Sequence, residues 1–313
     1  MLYKYFSFPL KSNVELPELS RLTDSALAKV SFWLQKERVE ILTDMDWIYQ
    51  WKTDDGFVTI SAAKSDDEYT LQFPGLARFV ICRKTLDIRC LPQEGVPVQT
   101  IRHLLLDQVL PRLYHHFFVE IILHGSFVQV AGKGIVFAGE TGWGKSSLAA
   151  AFTQVKGSVM TDDCLMLKKI GEKVFGIPSY TSIRLYEDSL SLLPASVVSD
   201  SFRMSHYSPK VRVGLHASGK NKIEIDAVIF LNDPNEYENK RDISLLPMGN
   251  LEAVKQLIRN SFSLDVTDRQ VQENELKLLG GIIDSGITFW SFEFPREYTR
   301  LPDVVKEVLI FVC

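Results

Sequence analysis

The spacing of hydrophobic and polar residues divides the chain into two stretches of different texture. In the first hundred residues, short apolar runs alternate with polar neighbours and are separated by turn-forming residues: GFVTISA, EYTLQF, ARFVICR and LDIRCL. This alternation, with its β-branched and aromatic residues, predicts a small, mostly antiparallel sheet. Before these runs, SALAKVSFWLQKERV carries apolar residues at roughly helical spacing and predicts a helix.

From about residue 100 the pattern predicts longer helices and buried strands. VQTIRHLLLDQVLPRLYHHFFVEIIL predicts a long helical segment with a kink or break near Pro111. Further on, SFVQVAGKGIVFAG, AVIFLND and ITFWSFEF predict strands, whereas LEAVKQLIRNSF, VQENELKLLGGIIDSG and LPDVVKEVLIFV predict helices. We therefore expect an N-terminal α+β unit of unknown role at 1–99 and an α/β domain at 100–313. The polar, Ser-rich residues 195–222 predict a loop or lid.

Within the second stretch, the octet GETGWGKS satisfies the pattern G-x-x-x-x-G-K-[ST] of a phosphate-binding loop. The apolar run GIVFA before it and SSLAAAF after it predict the strand, tight loop and helix that such a loop requires. Lys145 is expected to bind the β- and γ-phosphates, and the Ser146 hydroxyl to bind Mg²⁺. The predicted nucleotide-binding residues are Gly139, Glu140, Thr141, Gly142, Trp143, Gly144, Lys145, Ser146 and Ser147.

Two adjacent carboxylates, Asp162 and Asp163, follow the short apolar run SVM. A strand that returns beside the strand of the phosphate-binding loop would place them near the metal and the γ-phosphate. One carboxylate would then hold Mg²⁺ and the other would accept a proton from an incoming hydroxyl, and the sequence leaves open which does which. Asp233, at the end of AVIFLND, is a rival metal ligand of the Walker-B type.

Composition and the remaining motifs narrow the class of protein. The formal net charge of −4 gives no electrostatic footprint for nucleic acid or an anionic membrane. The four cysteines form no C-x-x-C pair, and we find neither a signal peptide nor an apolar membrane span, so we expect a cytoplasmic protein. A guanine-reading N-K-x-D motif and an ABC signature are also missing from the sequence.

Several other polar residues carry weaker signals. The pair His115-His116 is expected at a solvated helix end, since neither histidine has a second His or Cys one helical turn away. Arg184, Arg203 and Arg212 are candidates to stabilise a transferring phosphoryl group, although each is equally compatible with an ordinary surface position.

The order of these motifs resembles the catalytic domain of HPr kinase/phosphorylase. That family shows His-Gly, two strands, a phosphate-binding loop of the G-x-[ST]-G-x-G-K-S type and then Asp-Asp, which here are His124-Gly125, the loop from Gly139 to Ser146, and Asp162-Asp163. The resemblance covers residues 120–190 well and 225–313 only loosely. It implies a fold shared with phosphoenolpyruvate carboxykinase, catalytic roles for His124, Lys145, Asp162 and Asp163, and metal binding by Ser146 and the aspartates.

The same resemblance implies a kinase that uses ATP and Mg²⁺ to phosphorylate a Ser hydroxyl. We expect a Ser on a small protein or peptide as the acceptor, and the E-x-R-G-x-G signature of the family does not occur in the sequence, which argues against HPr itself as the substrate. Two alternatives stay open: a phosphotransferase that acts on a small molecule, and a non-catalytic ATP-binding sensor or assembly protein. The sequence also leaves open whether the chain forms a homo-oligomer.

Overall fold

The computed structural model describes residues 1–23, 27–35, 45–53, 55–203, 208–216, 219–237 and 242–312, with the backbone alone at 201–203. Its contacts group the chain into two compact units. Unit 1 contains Met1–Phe118 and Ser263–Gln272, and unit 2 contains Val119–Arg203, Pro209–Phe262 and Glu273–Cys313. The helical segment after residue 97 thus groups with unit 1, whereas the sequence assigns it to the second domain; the roles of the two domains stay predictions.

Unit 1 is built on an eight-stranded sheet with the strand order β1-β2-β3-β8-β7-β6-β5-β4. Its neighbours pair antiparallel except for β2 with β3 and β3 with β8, which are parallel. The mostly antiparallel sheet predicted here is confirmed, with more strands than the alternating runs indicate. The strands are β1 (Leu2–Tyr5), β2 (Phe8–Ser12), β3 (Val30–Leu34), β4 (Trp47–Lys52), β5 (Val58–Lys64), β6 (Glu68–Phe73), β7 (Ala77–Cys82) and β8 (Asp87–Pro92).

Strand β3 corrects the helix predicted from SALAKVSFWLQKERV. Val30 and Phe32 are fully buried and alternate with less buried neighbours, so the period of the burial is two residues and not 3.6. Apolar residues stand at both spacings in this short run, and the pairing with β2 and β8 decides between them. Residues 24–26 and 36–44 of the predicted helix lie outside the described residues.

The predicted helical segment runs as α1 (Val98–Leu104), a π-helical turn (Leu105–Val109) and α2 (Leu110–Phe118). The expected disturbance near Pro111 is therefore a local widening and not a break. Proline lacks an N–H and its ring collides with the carbonyl four residues earlier; that carbonyl belongs to Asp107, which lies within the π-helical turn. His115 and His116 are buried, so the prediction of a solvated helix end is wrong. His116 packs edge-on against Tyr69, with 5.1 Å between the centres of the two rings.

Unit 2 contains three sheets and most of the remaining helices. A six-stranded sheet has the order β12-β10-β11-β19-β21-β20, a four-stranded sheet the order β18-β14-β13-β9, and a three-stranded sheet the order β15-β17-β16. The strands are β9 (Ile121–Leu123), β10 (Gly125–Val130), β11 (Lys133–Ala138), β12 (Ser158–Thr161), β13 (Leu165–Ile170), β14 (Lys173–Pro178), β15 (Ser182–Leu185), β16 (Val198–Arg203), β17 (Val211–Leu215), β18 (Ile223–Glu224), β19 (Ala227–Leu231), β20 (Ser244–Pro247) and β21 (Thr288–Glu293).

The helices after the phosphate-binding loop are α3 (Lys145–Phe152), α4 (Asn250–Arg259), α5 (Arg269–Ile283) and α6 (Leu301–Val312). Each coincides with a helix predicted from the sequence, and the α/β class is confirmed. Residues 195–222 are less irregular than predicted, because β16 and β17 lie within them; residues 204–207 and 217–218 of that segment lie outside the described part. Within the described part, the chain has no helix of the length and apolarity that crossing a bilayer requires.

The six-stranded sheet is covered on both faces, which explains the continuous apolar run of β11. Ile135 and Phe137 pack into one buried cluster with Phe152 of α3, and Val136 and Ala138 pack into a second cluster on the other face. Strands β11, β19 and β21 run parallel, and buried parallel strands are typically apolar throughout. Ligands of such sheets bind at the carboxyl ends of the strands, which is where the candidate site lies.

Candidate functional site

The phosphate-binding loop joins β11 to α3 at the carboxyl end of the sheet. Gly142 and Gly144 have φ values of 91° and 96°, a backbone region that side chains with a Cβ rarely adopt. Gly144 is the N-cap residue of α3, which begins at Lys145. The tight loop and the helix N-terminus together direct backbone N–H groups and partial positive charge to one point, as an anion-binding site requires.

Lys145 lies inside this loop and is 5% exposed. Its ammonium group donates hydrogen bonds to the carbonyl oxygens of Gly139 and Glu140, at 2.7 and 2.9 Å. Burial lowers the pKa of Lys145 to about 8, even though the negative charges of Asp163 and Asp162 oppose the shift. A cation that is costly to bury and held by weak carbonyl acceptors is well suited to bind an anion.

The remaining loop residues take different positions. Glu140 and Thr141 are exposed, and Ser147 is half-buried in the first turn of α3. Trp143 packs against one of the buried clusters of unit 2, and its ring covers Gly139 so closely that a Cβ there would approach ring atom Cε3 to 2.9 Å. Trp143 therefore packs against the protein interior and against the backbone of the loop. Nucleotide binding by the loop stays a prediction.

Asp162 is 2% exposed and directly follows β12. Its Oδ1 accepts a hydrogen bond from the Ser126 hydroxyl, and its Oδ2 accepts one from the backbone N–H of Arg184 at 3.1 Å. Burial raises the pKa of Asp162, the neighbouring charge of Asp163 adds to the shift, and hydrogen bonds from Ser126, Arg184 and Ser146 partly oppose it. The Ser146 hydroxyl and the Asp162 carboxylate are therefore adjacent.

Asp163 has a left-handed backbone conformation, with φ at 69°. Its side chain forms an ion pair with Arg184 at 3.1 Å, and its carbonyl oxygen lies 3.2 Å from Nδ1 of His124. A carbonyl oxygen only accepts hydrogen bonds, so Nδ1 carries the proton and Nε2 is left as an acceptor in the neutral ring. Burial lowers the pKa of His124 to about 3, with a further contribution from the charge of Lys145, so the ring is neutral at pH 7.

The structure thus brings His124, Lys145, Ser146, Asp162 and Asp163 together, but not by the route that the sequence suggests. Strand β12 pairs with β10 and not with β11, so the expected return beside the loop strand is wrong. Because β10 is antiparallel to both β11 and β12, the two run in the same direction and their carboxyl ends share one edge of the sheet. The convergence follows from this shared direction.

The parallel neighbour of β11 is β19, which is followed by the rival residue Asp233. Topology alone therefore favours Asp233 as a Walker-B residue. Its Oδ1, however, accepts the backbone N–H of Asn235 at 2.8 Å, as in a strand-ending turn. The carboxylates that act most strongly on Lys145 are Asp163 and Asp162. Electrostatics therefore favour the aspartate pair.

Two residues of this region are missed by the sequence reasoning. Ser126 is fully buried and hydrogen-bonds to Asp162, and its position two residues after His124 on β10 is the available signal. Arg296 follows β21, stacks on the Phe294 ring at 3.6 Å and donates to the Asn232 carbonyl oxygen at 2.9 Å. Its side chain would contact a Cβ at Gly144 at 3.6 Å, so it packs against the loop.

Known proteins resemble this chain over a limited length. No family model matches it. The curated HPr kinase/phosphorylases of Mycoplasmopsis pulmonis and Chlorobium phaeovibrioides are 33% and 31% identical over 75 and 85 residues. These matches span about a quarter of the length of the curated relatives, 24% and 26%. The solved structure of the Hpr(Ser) kinase/phosphatase from Coxiella burnetii aligns with 61% of this chain and 91% of its own, at 14% identity and a TM-score of 0.33.

Over the matched segments, the chain is thus similar to HPr kinase/phosphorylases. The resemblance inferred from His124, the phosphate-binding loop and the aspartate pair is thereby confirmed.

Proposed function

We propose that this protein is a kinase that transfers the γ-phosphoryl group of ATP to a hydroxyl group, with a Ser of a small protein or peptide as the acceptor. The observation that carries the proposal is the convergence of two adjacent carboxylates on Lys145 and Ser146 at the phosphate-binding loop. Nucleotide binding alone does not need two adjacent carboxylates at the phosphate end of the site. Phosphoryl transfer needs both a metal ligand and a group that receives the acceptor proton.

The donor set at Ser146 fits Mg²⁺. The hydroxyl of Ser146 and the carboxylate of Asp162 are adjacent, and Mg²⁺ prefers oxygen ligands, of which the protein typically supplies one or two. We assign Ser146 and Asp162 to the metal, which when bound neutralises charge on the β- and γ-phosphates. Burial and the charge of Asp163 raise the pKa of Asp162, and a bound cation would stabilise the charged form of this carboxylate.

Asp163 is then the group next to the acceptor. The acceptor oxygen forms a bond to the γ-phosphorus, the bond from that phosphorus to the β–γ bridging oxygen breaks, and ADP leaves. The acceptor proton passes to the Asp163 carboxylate, which Arg184 orients through its ion pair. His124 donates to the Asp163 carbonyl oxygen, so it holds the backbone that presents this carboxylate. Lys145 binds the transferred phosphoryl group electrostatically.

Transfer of label from γ-labelled ATP to proteins of a cell extract tests this proposal. We expect Asp163→Asn to lower labelling at least about a hundredfold, the usual scale for a proton-accepting group. Binding of a non-hydrolysable ATP analogue should stay within about twofold, since this carboxylate contacts the acceptor. Asp284→Asn, at an exposed position of unit 2, is the control and should label like the parent.

Other results would favour the alternatives. Equal labelling by Asp163→Asn and the parent would refute the kinase assignment. Nucleotide binding without labelling of any protein or small molecule in the extract would favour an ATP-binding sensor or assembly protein. Label found only in the small-molecule fraction would favour a phosphotransferase with a small acceptor.

We also propose a cytoplasmic location. Cys82, Cys90 and Cys164 are free thiols in the described part of the chain, as expected in a reducing compartment. Mass-spectrometric detection of the thiols in the protein isolated from its host, under rapid alkylation, checks this.

A further inference from the structure

The residues that follow the strands of the six-stranded sheet form a row along the edge where the candidate site lies. Strands β12, β11, β19 and β21 run in the same direction, and the order across the sheet is β12-β10-β11-β19-β21. Asp162 follows β12, the phosphate-binding loop follows β11, and Arg296 lies shortly after β21. The aspartate pair and Arg296 therefore lie on opposite sides of the loop.

Arg296 packs against the residue at which the loop passes into α3. A Cβ on Gly144, the N-cap residue of α3, would lie 3.6 Å from Cδ and 3.7 Å from Nε of Arg296. A helix N-terminus carries partial positive charge, which favours an anion and opposes a cation. The guanidinium is therefore placed where a phosphate between it and the helix would interact favourably with both.

The contacts of Arg296 hold its guanidinium in place without using Nε. Nη1 donates to the Phe294 carbonyl oxygen at 3.1 Å, and Nη2 donates to the Asn232 carbonyl oxygen at 2.9 Å. The central carbon of the guanidinium lies 3.6 Å from the centre of the Phe294 ring. Nε is buried and has no hydrogen-bond partner among the described residues. Because a buried donor without an acceptor is costly, a ligand oxygen beside the loop would be stabilised by Nε.

The charges that act on Arg296 differ from those that act on Lys145. Burial lowers the pKa of Arg296 to about 10, and the charge of Asp233 opposes this shift. The pKa of Lys145 is affected instead by Asp163 and Asp162. The aspartate pair thus acts on Lys145, whereas Arg296 lies on the side of Asp233.

We propose that Arg296 is a nucleotide-binding residue that donates from Nε to an oxygen of the α-phosphate. This inference rests on the nucleotide site of the proposed kinase and extends it. The aspartate pair marks the γ-phosphate end of the site, and the α-phosphate is the phosphate furthest from that end. ATP and ADP share this group, so Arg296 binds both and contributes equally before and during phosphoryl transfer.

Isothermal titration of the full chain in the presence of Mg²⁺ tests this assignment. The probes are a non-hydrolysable ATP analogue, ADP and tripolyphosphate, which carries three linked phosphates without a nucleoside. Arg296→Met should weaken binding of all three about tenfold, the scale of one charge-assisted hydrogen bond. In the labelling assay it should raise the KM for ATP by the same factor and leave kcat within about twofold, because uniform binding is lost.

Arg300→Met is the matched control, since Arg300 belongs to the same segment and pairs with Asp303 at 3.2 Å. It should bind the three probes like the parent. Arg296→Lys keeps the charge and the aliphatic stem but places a carbon atom at the position of Nε. It should therefore weaken the three probes about as much as Arg296→Met, and it keeps the test decisive if Arg296→Met fails to fold.

Four results would overturn the inference. Parent-like binding of ADP by Arg296→Met would exclude a contact with the nucleotide, and a loss confined to the ATP analogue would place Arg296 at the γ-phosphate. Loss of ADP binding with unchanged binding of tripolyphosphate would assign the contact to the nucleoside. Full affinity in Arg296→Lys would show that charge, and not the Nε donor, binds the phosphate.

The fate of the kinase proposal is separate from these results. Failure of the parent to bind the ATP analogue would refute the nucleotide site and the role of Arg296 with it. Weaker binding of all three probes by Arg296→Met, in a parent that labels no acceptor, would support the role of Arg296 and refute the kinase assignment.

Discussion

Each unit of the chain buries a cluster of carboxylate and ammonium groups, and the two clusters differ in how their charges are satisfied. In unit 1, Asp265 is completely buried, yet all of its acceptor positions are used. Its Oδ2 accepts from the Lys64 ammonium and the Tyr69 hydroxyl, both at 2.9 Å. Its Oδ1 accepts from the N–H and the hydroxyl of Thr267, at 2.9 and 2.6 Å.

Hydrogen bonding outweighs burial in this first cluster. Burial by itself would raise the pKa of Asp265, but the hydrogen bonds from Thr267, Lys64 and Tyr69 bring it well below the ordinary value. The hydrogen bond to Asp265 raises the pKa of Lys64. Both charged forms are thus stabilised in the folded state, which is the signature of a structural ion pair.

Burial outweighs hydrogen bonding in the second cluster. The pKa of Asp162 is raised, that of Lys145 is lowered to about 8 and that of His124 is lowered to about 3, and burial is the largest cause of each. The charged forms of all three groups are disfavoured, although opposite charges are close by. Carboxylate and ammonium groups thus stabilise each other in unit 1. In unit 2 their charged forms are disfavoured, and a bound ligand would stabilise them.

Deleting the lysine of the second cluster is expected to have the largest effect. Lys145→Ala should weaken binding of a non-hydrolysable ATP analogue about a hundredfold, since a charge-assisted phosphate contact is worth about 3 kcal/mol. The free energy of unfolding should change by no more than about 1 kcal/mol, because a poorly compensated buried charge is removed. Titration calorimetry and urea unfolding measure the two quantities.

Lys168→Ala is the control for this deletion, since Lys168 is a half-exposed lysine of unit 2 paired with Glu120. It should leave the affinity for the analogue unchanged. An affinity equally high in Lys145→Ala and the parent would contradict the phosphate-binding role and remove the contrast between the clusters.

The opposite result is expected for the first cluster. Asp265→Asn should lower the stability of unit 1 by about 2 kcal/mol at pH 7, since hydrogen bonds to a buried charged group are lost. A carboxylate whose folded pKa is depressed contributes stability above its unfolded pKa of about 3.9, and this is lost as the pH falls through the folded pKa. The difference between parent and variant should therefore shrink below about pH 4.

Amide hydrogen exchange of peptides from β5 and β6 reports on unit 1 alone and suits this measurement. Asp66→Asn, at an exposed position of the same unit, removes the same charge and should change little. A pH-independent difference between Asp265→Asn and the parent would mean that the carboxylate contributes by packing and not by charge.

The third substitution is at Gly139, whose carbonyl oxygen accepts a hydrogen bond from Lys145. Gly139 has a φ of 148°, and a Cβ there would lie 2.9 Å from the Trp143 ring and 3.2 Å from the Leu231 carbonyl oxygen. Gly139→Ala should displace the loop and weaken analogue binding about tenfold, a cost of about 1.4 kcal/mol. Gly171 also has a positive φ, 63°, but open space around it and a position outside the loop, so Gly171→Ala should leave analogue binding unchanged. Equal affinities in the two variants would show that the loop absorbs the contact.

Patterns within one element were readable from the sequence, whereas pairings between elements were not. The loop from Gly139 to Ser146 combines special backbone angles with a helix N-terminus, and both leave a local sequence signature. The position of β12 beside β10 depends on long-range pairing, so the predicted neighbour of β11 was wrong although the site residues were brought together. The strand β3 was mistaken for a helix because a five-residue run carries both periods.

The residues of the two clusters also show that contacts between distant segments are not predictable from local sequence patterns. The Asp162-Asp163 pair stands out beside the loop motif, but the cross-strand pairing of Arg184 with Arg212 is set by a register that no local pattern encodes. The Asp265 cluster joins residues about 200 positions apart, from Lys64 to Asp265. Neither sequence segment contains a pattern that predicts contact with the other. Buried polar networks of this kind follow from the fold and not from motifs.

The smallest effect is expected for two substitutions of His124 that distinguish the roles of its two ring nitrogens. An asparagine places its amide N–H near the position of Nδ1, whereas a glutamine places it near Nε2. His124→Asn should therefore retain the hydrogen bond to the Asp163 carbonyl oxygen, and His124→Gln should lose it at a cost of about 1 kcal/mol in the free energy of unfolding. The asparagine variant should also keep more label transfer, because the Asp163 carboxylate stays oriented. Equal stability and equal labelling in the two variants would mean that His124 does not position Asp163, and that its neutral ring contributes to the second cluster through Nε2 alone.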